Sequence, residues 1–312
     1  MTLREALTRA TAQLDASPGL CADAARDAAL LLRHVLAISH AAQLAEPERE
    51  LTNAQQATFD ALILRRIANE PIQYITGEQE FYGLTLRVTP AVLIPRPETE
   101  QLVEAVLAEM NSAELDRTQP LRILDVGTGS GAIAIALAFH LPHAQITAVD
   151  LSAAALEVAA ANTARHALAG RIRFVQSDLL DGIRTVILSE AAHVVSSEVE
   201  GPAVLPVALP PFDVIVSNPP YVPTADRASL HPQVRDHEPA AALFAGLDGL
   251  DIYRRLIPQA RAALQPNGLL ALEIGHGQRE AIAALLAGWN GLRFLDDLQH
   301  IPRIALARKP QA

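Results

Sequence analysis

The chain has 312 residues, of which 50% are apolar, and a formal net charge of −10. This length exceeds that of one typical domain, so we expect two domains, one small and one larger, with ample apolar material for a packed core. Binding to nucleic-acid phosphates depends on clustered Lys and Arg, so the acidic balance argues against direct nucleic-acid binding and favours a protein or small-molecule partner.

The cysteine content and the first residues of the chain indicate in which cellular compartment the protein is found. Cys21 is the only cysteine, which excludes an internal disulfide or a cysteine-rich zinc cluster, and we predict no metal site. Residues 1–15 mix charges with apolar positions at helical spacing and lack the apolar core of a signal peptide. No stretch that approaches the length of a membrane span is free of charged residues and histidine. We therefore expect a cytoplasmic protein without membrane association, and a monomer because no long exposed apolar stripe is evident.

The first 69 residues follow a helical pattern. Apolar residues recur at helical spacing in three segments, and Asn53 is interpreted as the N-cap of the third. Pro71 ends this pattern, and shorter extended segments follow over 81–94. The predicted divisions are a small helical bundle at 1–72, a β-hairpin linker at 73–97 and a larger domain at 98–312.

Strands and helices alternate along the larger domain. This alternation predicts an α/β fold with a parallel sheet that is covered by helices on both faces. The segment 183–211 has no clean period and is interpreted as a long inserted surface loop. The predicted strands are 122–126, 145–149, 172–176, 212–216 and 269–274, and the predicted helices between them include 132–139, 153–162 and 252–264.

A glycine-rich turn follows the first of these strands. Gly127, Gly129 and Gly131 lie between a buried strand and a helix start, where missing side chains let a ligand approach the backbone. The next strand ends at Asp150, whose carboxylate is suited to accept hydrogen bonds from both ribose hydroxyls of a nucleoside. Either NAD or S-adenosylmethionine satisfies both features. The GxGxG spacing weakly favours the methyl donor over the dinucleotide.

Asp178 and Leu179 follow the third strand. At that height of the sheet, the carboxylate is suited to an exocyclic amine of adenine and Leu179 to the face of the ring. A helix or turn cap is the alternative for Asp178 taken alone. All of these strand ends open on the same carboxyl edge, where ligands bind in parallel sheets.

The sequence Asn218-Pro219-Pro220-Tyr221 follows the fourth strand. The prolines lack backbone N–H groups and fix φ, so the chain leaves the sheet as a stiff turn. One side-chain amide and unpaired carbonyls are then available to accept both hydrogens of an NH₂ group, and Tyr221 offers a flat face to the planar group that carries it. An ordinary proline-rich strand exit is the alternative reading of the four residues alone.

Several longer stretches together carry a resemblance to a known family. The chain resembles the HemK/PrmC family of S-adenosylmethionine-dependent N(5)-glutamine methyltransferases, which modify peptide chain release factors. The resemblance covers nearly the whole chain, and the joint occurrence of PRPETE and NPPY is its most specific part. The matching stretches are PIQYITGEQEFYGL from 71, VLIPRPETEQLVE from 92, ILDVGTGSGAIAIAL from 123, VDLSAAALEVAAAN from 149, FDVIVSNPPYV from 212, HEPAAALFAGLDGLDIYRRL from 237 and LLALEIGHGQ from 269.

The resemblance implies a Rossmann-like methyltransferase sheet with S-adenosylmethionine as cofactor and class I release factors as partners. The bundle at 1–72 would recognise the substrate protein, and Asn218 would be the catalytic residue that holds the glutamine of the Gly-Gly-Gln loop. The implied substrate-binding residues are Asn218, Pro219, Pro220 and Tyr221, and the implied cofactor-binding residues are Gly127, Thr128, Gly129, Ser130, Gly131, Asp150, Asp178, Leu179 and Asn218.

Three other functions stay open at the level of the sequence. A glutamine methyltransferase for a ribosomal protein ranks second, and a nucleic-acid adenine-amino methyltransferase would use the same Asn-Pro-Pro-Tyr turn on a flipped base. A non-catalytic release-factor-binding adaptor is the alternative from another class. Arg96 and Glu98 are interpreted either as lining the entrance for the cofactor or the substrate, or as parts of a helix start behind a proline turn. No catalytic histidine is predicted.

Overall fold

The computed structural model describes residues 1–17, 23–112, 120–181, 183 and 211–311. The prediction for Cys21 and most of that for 183–211 fall outside these residues. The chain divides into two compact units. One is Met1–Glu78 with Val88–Pro90 and Ala228–Glu238, and the other is Gln79–Arg87, Ala91–Arg227 and Pro239–Ala312. The functional division at 1–72, 73–97 and 98–312 stays a prediction.

Helices and strands are named here in chain order. The helices are α1 (Leu3–Asp15), α2 (Ala24–Leu36), α3 (His40–Ala45), α4 (Asn53–Ile67), α5 (Ile72–Thr76), α6 (Pro97–Ser112), α7 (Ala132–His140), α8 (Ala153–Arg165), α9 (Pro232–His237), α10 (Asp251–Ala263) and α11 (Arg279–Leu285). The strands are β1 (Glu78–Phe81), β2 (Leu84–Arg87), β3 (Leu121–Val126), β4 (Ala144–Asp150), β5 (Ile172–Gln176), β6 (Phe212–Ser217), β7 (Leu264–Glu273), β8 (Asn290–Asp296) and β9 (Pro302–Arg308).

The first unit is a helical bundle, as predicted. Apolar residues at helical spacing on α1, α2 and α4 are removed from water together, including Leu3, Leu31 and Phe59. The guanidinium of Arg66 lies in the same interior and donates from Nε to Asp27 Oδ2 at 2.6 Å. Burial of this charge is tolerated because it is paired and hydrogen-bonded.

The predicted N-cap of α4 was wrong by one residue. Thr52, not Asn53, is the cap, because its hydroxyl accepts from the backbone N–H of Gln55 at 3.2 Å. The Gln55 side chain accepts in return from the Thr52 backbone N–H at 3.0 Å. This reciprocal pair is a capping box, and its Thr-x-x-Gln spacing is present in the sequence.

β1 and β2 form a two-stranded sheet of their own, as expected for the predicted hairpin. Tyr82 and Gly83 make the turn with φ of 50° and 74°. Two successive positive φ values are typical of the tight hairpin turn whose twist matches that of its strands. The first strand begins at Glu78, earlier than the predicted extended stretch.

The second unit contains a seven-stranded sheet in the order β5-β4-β3-β6-β7-β9-β8 among the described residues. The first five strands are parallel neighbours, which confirms the predicted α/β class. β9 and β8 add an antiparallel edge. From β3 the chain builds outward through β4 to β5, and then it returns to place β6 on the other side of β3. This reversal is the switch point at which parallel sheets bind ligands.

Apolar clusters cover the two faces of this sheet. One is built around α6 and α7 and includes Leu102, Ile135 and Val216. The other is built around α10 and includes Leu256 and Ile215. Within the described residues, no helix has the length and apolar character needed to cross a membrane.

Candidate active site

The ends of β3 and β6 are joined at the switch point. Val126 and Ser217 are partners in the parallel register, and Ser217 Oγ donates to the Val126 carbonyl at 2.7 Å. Gly127 and Asn218 are therefore the first residues beyond two neighbouring strand ends. The two most informative turns of the sequence meet at this point, as predicted.

The glycine turn leaves open space above two of its glycines. Gly127 and Gly129 have φ of 74° and 55°, and a Cβ at either position would meet no atom within 4 Å. Gly131 has a different role, since its Cβ would lie 3.1 Å from Ala159 Cβ and 3.1 Å from Ile135 Cδ1. The first two glycines keep room for a ligand, and the third allows close packing where α7 begins.

Asp150 lies at the end of β4 with its carboxylate held from two sides. Oδ2 accepts from the backbone N–H of Gly129 and Oδ1 from that of Ser152, each at 2.9 Å. A carboxylate offers about four acceptor positions, so two stay available for hydroxyl groups. Leu151, directly after it, is 63% exposed and provides an apolar surface suited to a flat ring. These residues fit the nucleoside part of S-adenosylmethionine.

A buried carboxylate that the sequence analysis missed supports the glycine turn from below. Asp125 is 0% exposed, and its Oδ2 accepts from Thr128 Oγ1 at 2.6 Å and from the Ala134 backbone N–H at 3.2 Å. Burial, with a contribution from nearby Asp150, raises the pKa of Asp125 to about 7. The carboxyl group thus links the turn to the first turn of α7.

Asn162 on α8 is a second missed residue. Its Nδ2 donates to the carbonyls of Ser130 and Arg87 at 2.9 Å, and its Oδ1 accepts from the Arg87 backbone N–H at 2.7 Å. One fully buried amide therefore joins the glycine turn to the end of β2. An asparagine in the otherwise apolar stretch VAAAN was the available signal.

Asp178 and Leu179 lie beyond β5. Asp178 Oδ2 accepts from Arg255 Nη2 at 2.7 Å, and both side chains are about half exposed. Leu179 has φ of 52° and packs against the apolar cluster around α10. The ion pair occupies one Asp178 oxygen, and the predicted contact of this carboxylate with adenine stays a prediction.

Asn218 is connected to a buried carboxylate through one hydroxyl. Its Nδ2 donates to Thr99 Oγ1 at 2.9 Å, and Thr99 Oγ1 donates to Glu273 Oε2 at 2.6 Å. Thr99 is near the start of α6 and Glu273 is the last residue of β7. Thr99 and Glu273 are 4% and 1% exposed, so water hardly competes for these bonds.

Tyr221 reaches the same carboxylate. Its Oη donates to Glu273 Oε1 at 3.3 Å, and its carbonyl accepts from Gln278 Nε2 at 3.0 Å. A Cβ at Gly249 would lie 2.2 Å from that carbonyl, so only glycine fits beside it. Both ends of the Tyr221 residue are therefore held in place, and burial with the nearby Glu273 charge raises the pKa of its phenol above the usual range.

Burial raises the pKa of Glu273 to about 7. Hydrogen bonds from Thr99 and Tyr221 favour the ionised form, Glu98 opposes it and Arg303 supports it. The PRPETE motif also contains Thr99, which was not among the predicted site residues. α6 begins at Pro97 and has Glu98 in its first turn, as the helix-start interpretation expects.

No group of three or more His, Cys, Asp or Glu side chains suited to a metal ion occurs in the described part of the chain. His231 caps α9 by accepting from the Gln233 backbone N–H at 3.3 Å.

Comparisons with known proteins agree with this geometry. The PrmC N-terminal domain family matches residues 5–77, and a methyltransferase domain family matches residues 118–273. The release factor glutamine methyltransferase of Koribacter versatilis is 42% identical over 99% of both chains. That of Deinococcus radiodurans is 40% identical, again over 99% of both chains. The chain belongs to the release factor glutamine methyltransferase family.

Membership of the release factor glutamine methyltransferase family confirms the predicted resemblance and fold class. With the methyltransferase domain, it implies S-adenosylmethionine as the methyl donor. A solved structure, the hMettl16 catalytic domain in complex with MAT2A 3'UTR hairpin 6, shares the fold with a TM-score of 0.51. It covers 83% of both chains at 14% identity, and this likeness concerns the fold alone.

S-adenosylmethionine, when bound, supplies an electrophilic methyl group on a sulfonium. An amide nitrogen is a weak nucleophile because its lone pair is delocalised, so the protein must gain rate from placement. The Asn218 amide has its Nδ2 engaged by Thr99, which leaves Oδ1 as an acceptor at the end of β6. Such a preorganised dipole also stabilises positive charge that develops on nitrogen.

Proposed function

We propose that this protein transfers a methyl group from S-adenosylmethionine to the side-chain amide nitrogen of the glutamine in the Gly-Gly-Gln loop of class I peptide chain release factors. The observation that carries this proposal is the fixed Asn218 amide at the switch point, next to the open glycine turn. The printed names of the full-length relatives support the substrate class.

Each proposed site residue has a defined task. Asn218 Oδ1 and a proline carbonyl of the turn accept the two N–H bonds of the glutamine, which aligns its nitrogen with the methyl group. Tyr221 offers a ring face to the planar amide, and Pro219 and Pro220 keep the turn rigid. The cofactor is held by the glycine turn from Gly127 through Thr128, Gly129 and Ser130 to Gly131, by Asp150, by Asp178 with Leu179, and by Asn218.

Proton loss needs no dedicated base in this proposal. The amide nitrogen becomes acidic only after the methyl group is attached, and the extra proton then leaves to water. Glu273 lies closest in the network, but it is 1% exposed and reaches Asn218 only through Thr99. It is thus poorly placed to receive a proton from the substrate.

Mass spectrometry of a release factor is the direct test. The purified protein is incubated with a class I release factor and deuterium-labelled S-adenosylmethionine, and tandem spectra locate the label. We expect the label on the glutamine of the Gly-Gly-Gln loop and none on a release factor whose loop glutamine is alanine. Label on a ribosomal protein or on adenine of nucleic acid, with none on the loop glutamine, would reject the proposal.

The proposal also covers the oligomeric state, the cellular compartment and the binding of nucleic acid. We expect a cytoplasmic monomer that recognises its protein substrate through the helical unit and does not bind nucleic acid, in keeping with the net charge of −10. Light scattering on the purified protein, alone and with an RNA fragment, checks the oligomeric state and the absence of a complex. A stable dimer or an RNA complex at physiological salt would contradict these two expectations.

A further inference from the structure

The Asn218 amide has two ends that are similar in shape and opposite in hydrogen-bonding character. Oδ1 accepts hydrogen bonds, whereas Nδ2 only donates them. If Nδ2 faced a substrate amide, two sets of N–H groups would oppose each other and the nitrogen would not be held. The proposed function therefore requires a device that decides which end of the amide faces the substrate.

The contact with Thr99 decides the orientation only if the hydroxyl of Thr99 has a fixed direction. A threonine hydroxyl carries one hydrogen and accepts through its oxygen, so alone it is compatible with either end of the amide. Glu273 removes this ambiguity, because an ionised carboxylate only accepts. The 2.6 Å separation of Thr99 Oγ1 and Glu273 Oε2 is typical of a charge-assisted bond.

The direction of each bond then follows in order. Thr99 gives its only hydrogen to Glu273, so its oxygen is left to accept. Asn218 must face that oxygen with Nδ2, which agrees with the 2.9 Å contact. Oδ1 must therefore face away from Thr99. We propose that Glu273 is a positioning residue for methyl transfer, which acts through Thr99 to fix the Asn218 amide with Oδ1 towards the acceptor nitrogen.

The structure holds Glu273 firmly for this task. Its carbonyl accepts from Tyr253 Oη at 2.7 Å, and Tyr253 is fully buried. The neighbouring strand partners, Ser217 and Leu272, place Asn218 and Glu273 directly after a matched pair in the sheet. The second oxygen of Glu273 accepts from the Tyr221 hydroxyl. One carboxylate therefore orients the Asn218 amide, through Thr99, and the Tyr221 hydroxyl of the Asn-Pro-Pro-Tyr turn.

This inference rests on the proposed function and is tested with two variants of one residue. Thr99→Val keeps the size and removes the hydroxyl, whereas Thr99→Ser keeps the hydroxyl. We expect Thr99→Val to lower kcat for release-factor methylation by about 10- to 100-fold, the usual consequence of a misplaced reacting group. The dissociation constant of S-adenosylmethionine, from calorimetry, should change less than about twofold, because the glycine turn and Asp150 keep their contacts and only the orientation of the Asn218 amide changes. Thr99→Ser should recover most of kcat.

Thr163→Val is the matched control. Thr163 is also a buried threonine of this unit, 3% exposed, and its hydroxyl donates to the Ala159 carbonyl at 2.9 Å, apart from the Asn218 network. We expect this variant to keep the wild-type kcat. A Thr99→Val enzyme that is folded and as fast as wild type, or a Thr99→Ser enzyme as slow as Thr99→Val, would overturn the inference.

A measurement without turnover separates this inference from the proposed function. The Asn218 side-chain NH₂ pair is assigned in a ¹⁵N–¹H spectrum by its loss in Asn218→Asp. We expect one hydrogen of the pair to be shifted and protected from exchange in the wild type and in Thr99→Ser, and to lose both properties in Thr99→Val. Unchanged signals in Thr99→Val would overturn the inference even if the wild type methylates its substrate. An absent wild-type activity with the expected signals would overturn only the proposed function.

Discussion

Ser217 donates its hydroxyl hydrogen to the Val126 carbonyl at 2.7 Å and so fastens the strand end that carries Asn218 to the strand end that carries the glycine turn. The bond is fully buried. It lies at the point where the methyl acceptor and the methyl donor must meet in the proposed function. This side-chain bond adds to the parallel pairing of β3 and β6 in setting the separation of the two turns.

Removal of this hydroxyl is expected to affect both stability and turnover. Ser217→Ala should lower the free energy of unfolding by roughly 1 kcal/mol, the usual net value of one buried hydrogen bond. The same change should lower kcat about tenfold through misplacement of Asn218 relative to the cofactor. Urea unfolding and steady-state methylation measure the two effects. Loss of stability with an unchanged kcat would show that the bond does not position the turns.

Gly129 is expected to be required for cofactor binding and not only for its backbone conformation. Gly129→Ala places a Cβ in the open space above the turn, and the positive φ adds roughly 1 kcal/mol of strain. Gly170→Ala is the matched control, since Gly170 has φ of 88° and equally open surroundings. Calorimetry should show weakened S-adenosylmethionine binding only in Gly129→Ala, while thermal unfolding should show similar destabilisation in both. Equal binding in the two variants would mean that S-adenosylmethionine does not bind above the glycine turn.

Turnover is expected to decrease as the pH falls through the pKa of Glu273, about 7. The neutral acid has a hydrogen to donate, so Thr99 no longer needs to point towards it and the Asn218 amide loses its fixed direction. The charged groups that act on this carboxyl are Glu98 and Arg303, and the pKa of Tyr221 is too high for the phenol to titrate in this range.

Glu273→Gln is the control for this pH dependence. Its amide does not titrate and both donates and accepts, so kcat should be lower than in the wild type at pH 8 and nearly independent of pH between 6 and 8. Profiles of kcat at saturating substrate decide the matter. Parallel profiles of the two enzymes would assign the titration to another group.

Asp125 is expected to make the protein less stable as the pH rises. Its pKa of about 7 in the folded chain lies above the ordinary value, so the folded state binds more protons than the unfolded state between these two values. The free energy of unfolding therefore falls as the pH rises. The loss of stability from ionised Asp125 is complete above the pKa in the folded chain and absent below the pKa in the unfolded chain.

Asp125→Asn removes this titration. The stability of the variant relative to the wild type should increase by about 1.4 kcal/mol between pH 6 and pH 8.5, as expected for one group with a pKa near 7. Urea unfolding of both proteins at the two pH values gives the difference. A constant difference, or one of opposite sign, would mean that Asp125 is ionised in the folded protein throughout this range.

The sheet and its two turns were predictable because their signals are local. A buried strand followed by glycines, or by Asn-Pro-Pro, identifies a strand end within a few residues. Parallel strands then bring Gly127 and Asn218 to one edge without further information. The N-cap of α4 was also predictable from the sequence, because Thr52 and Gln55 have the spacing of a capping box. The prediction of Asn53 as this cap was wrong.

The hydrogen bonds that hold the site residues in place were not predictable, because they join distant parts of the chain. Thr99 and Glu273 are 174 residues apart, and Asn218 is 119 residues from Thr99. Glu273 stands in the otherwise apolar predicted strand 269–274, but nothing near it in the sequence identifies Thr99 as its partner. The same holds for Asp178, whose partner Arg255 lies 77 residues away on α10. Side-chain pairing across elements is decided by packing, which periodicity does not report.

We expect Asn218 to hold the acceptor glutamine of a release factor in place for methyl transfer. The most direct measurement is label transfer from deuterated S-adenosylmethionine to the Gly-Gly-Gln loop, read by mass spectrometry for the wild type and for Asn218→Ala, with cofactor binding followed by calorimetry. We expect transfer in the wild type and a loss of about 100- to 1,000-fold in the variant, comparable to removal of one preorganised dipole from other active sites, with cofactor affinity nearly intact. Full turnover by Asn218→Ala would show that Asn218 does not hold the acceptor glutamine.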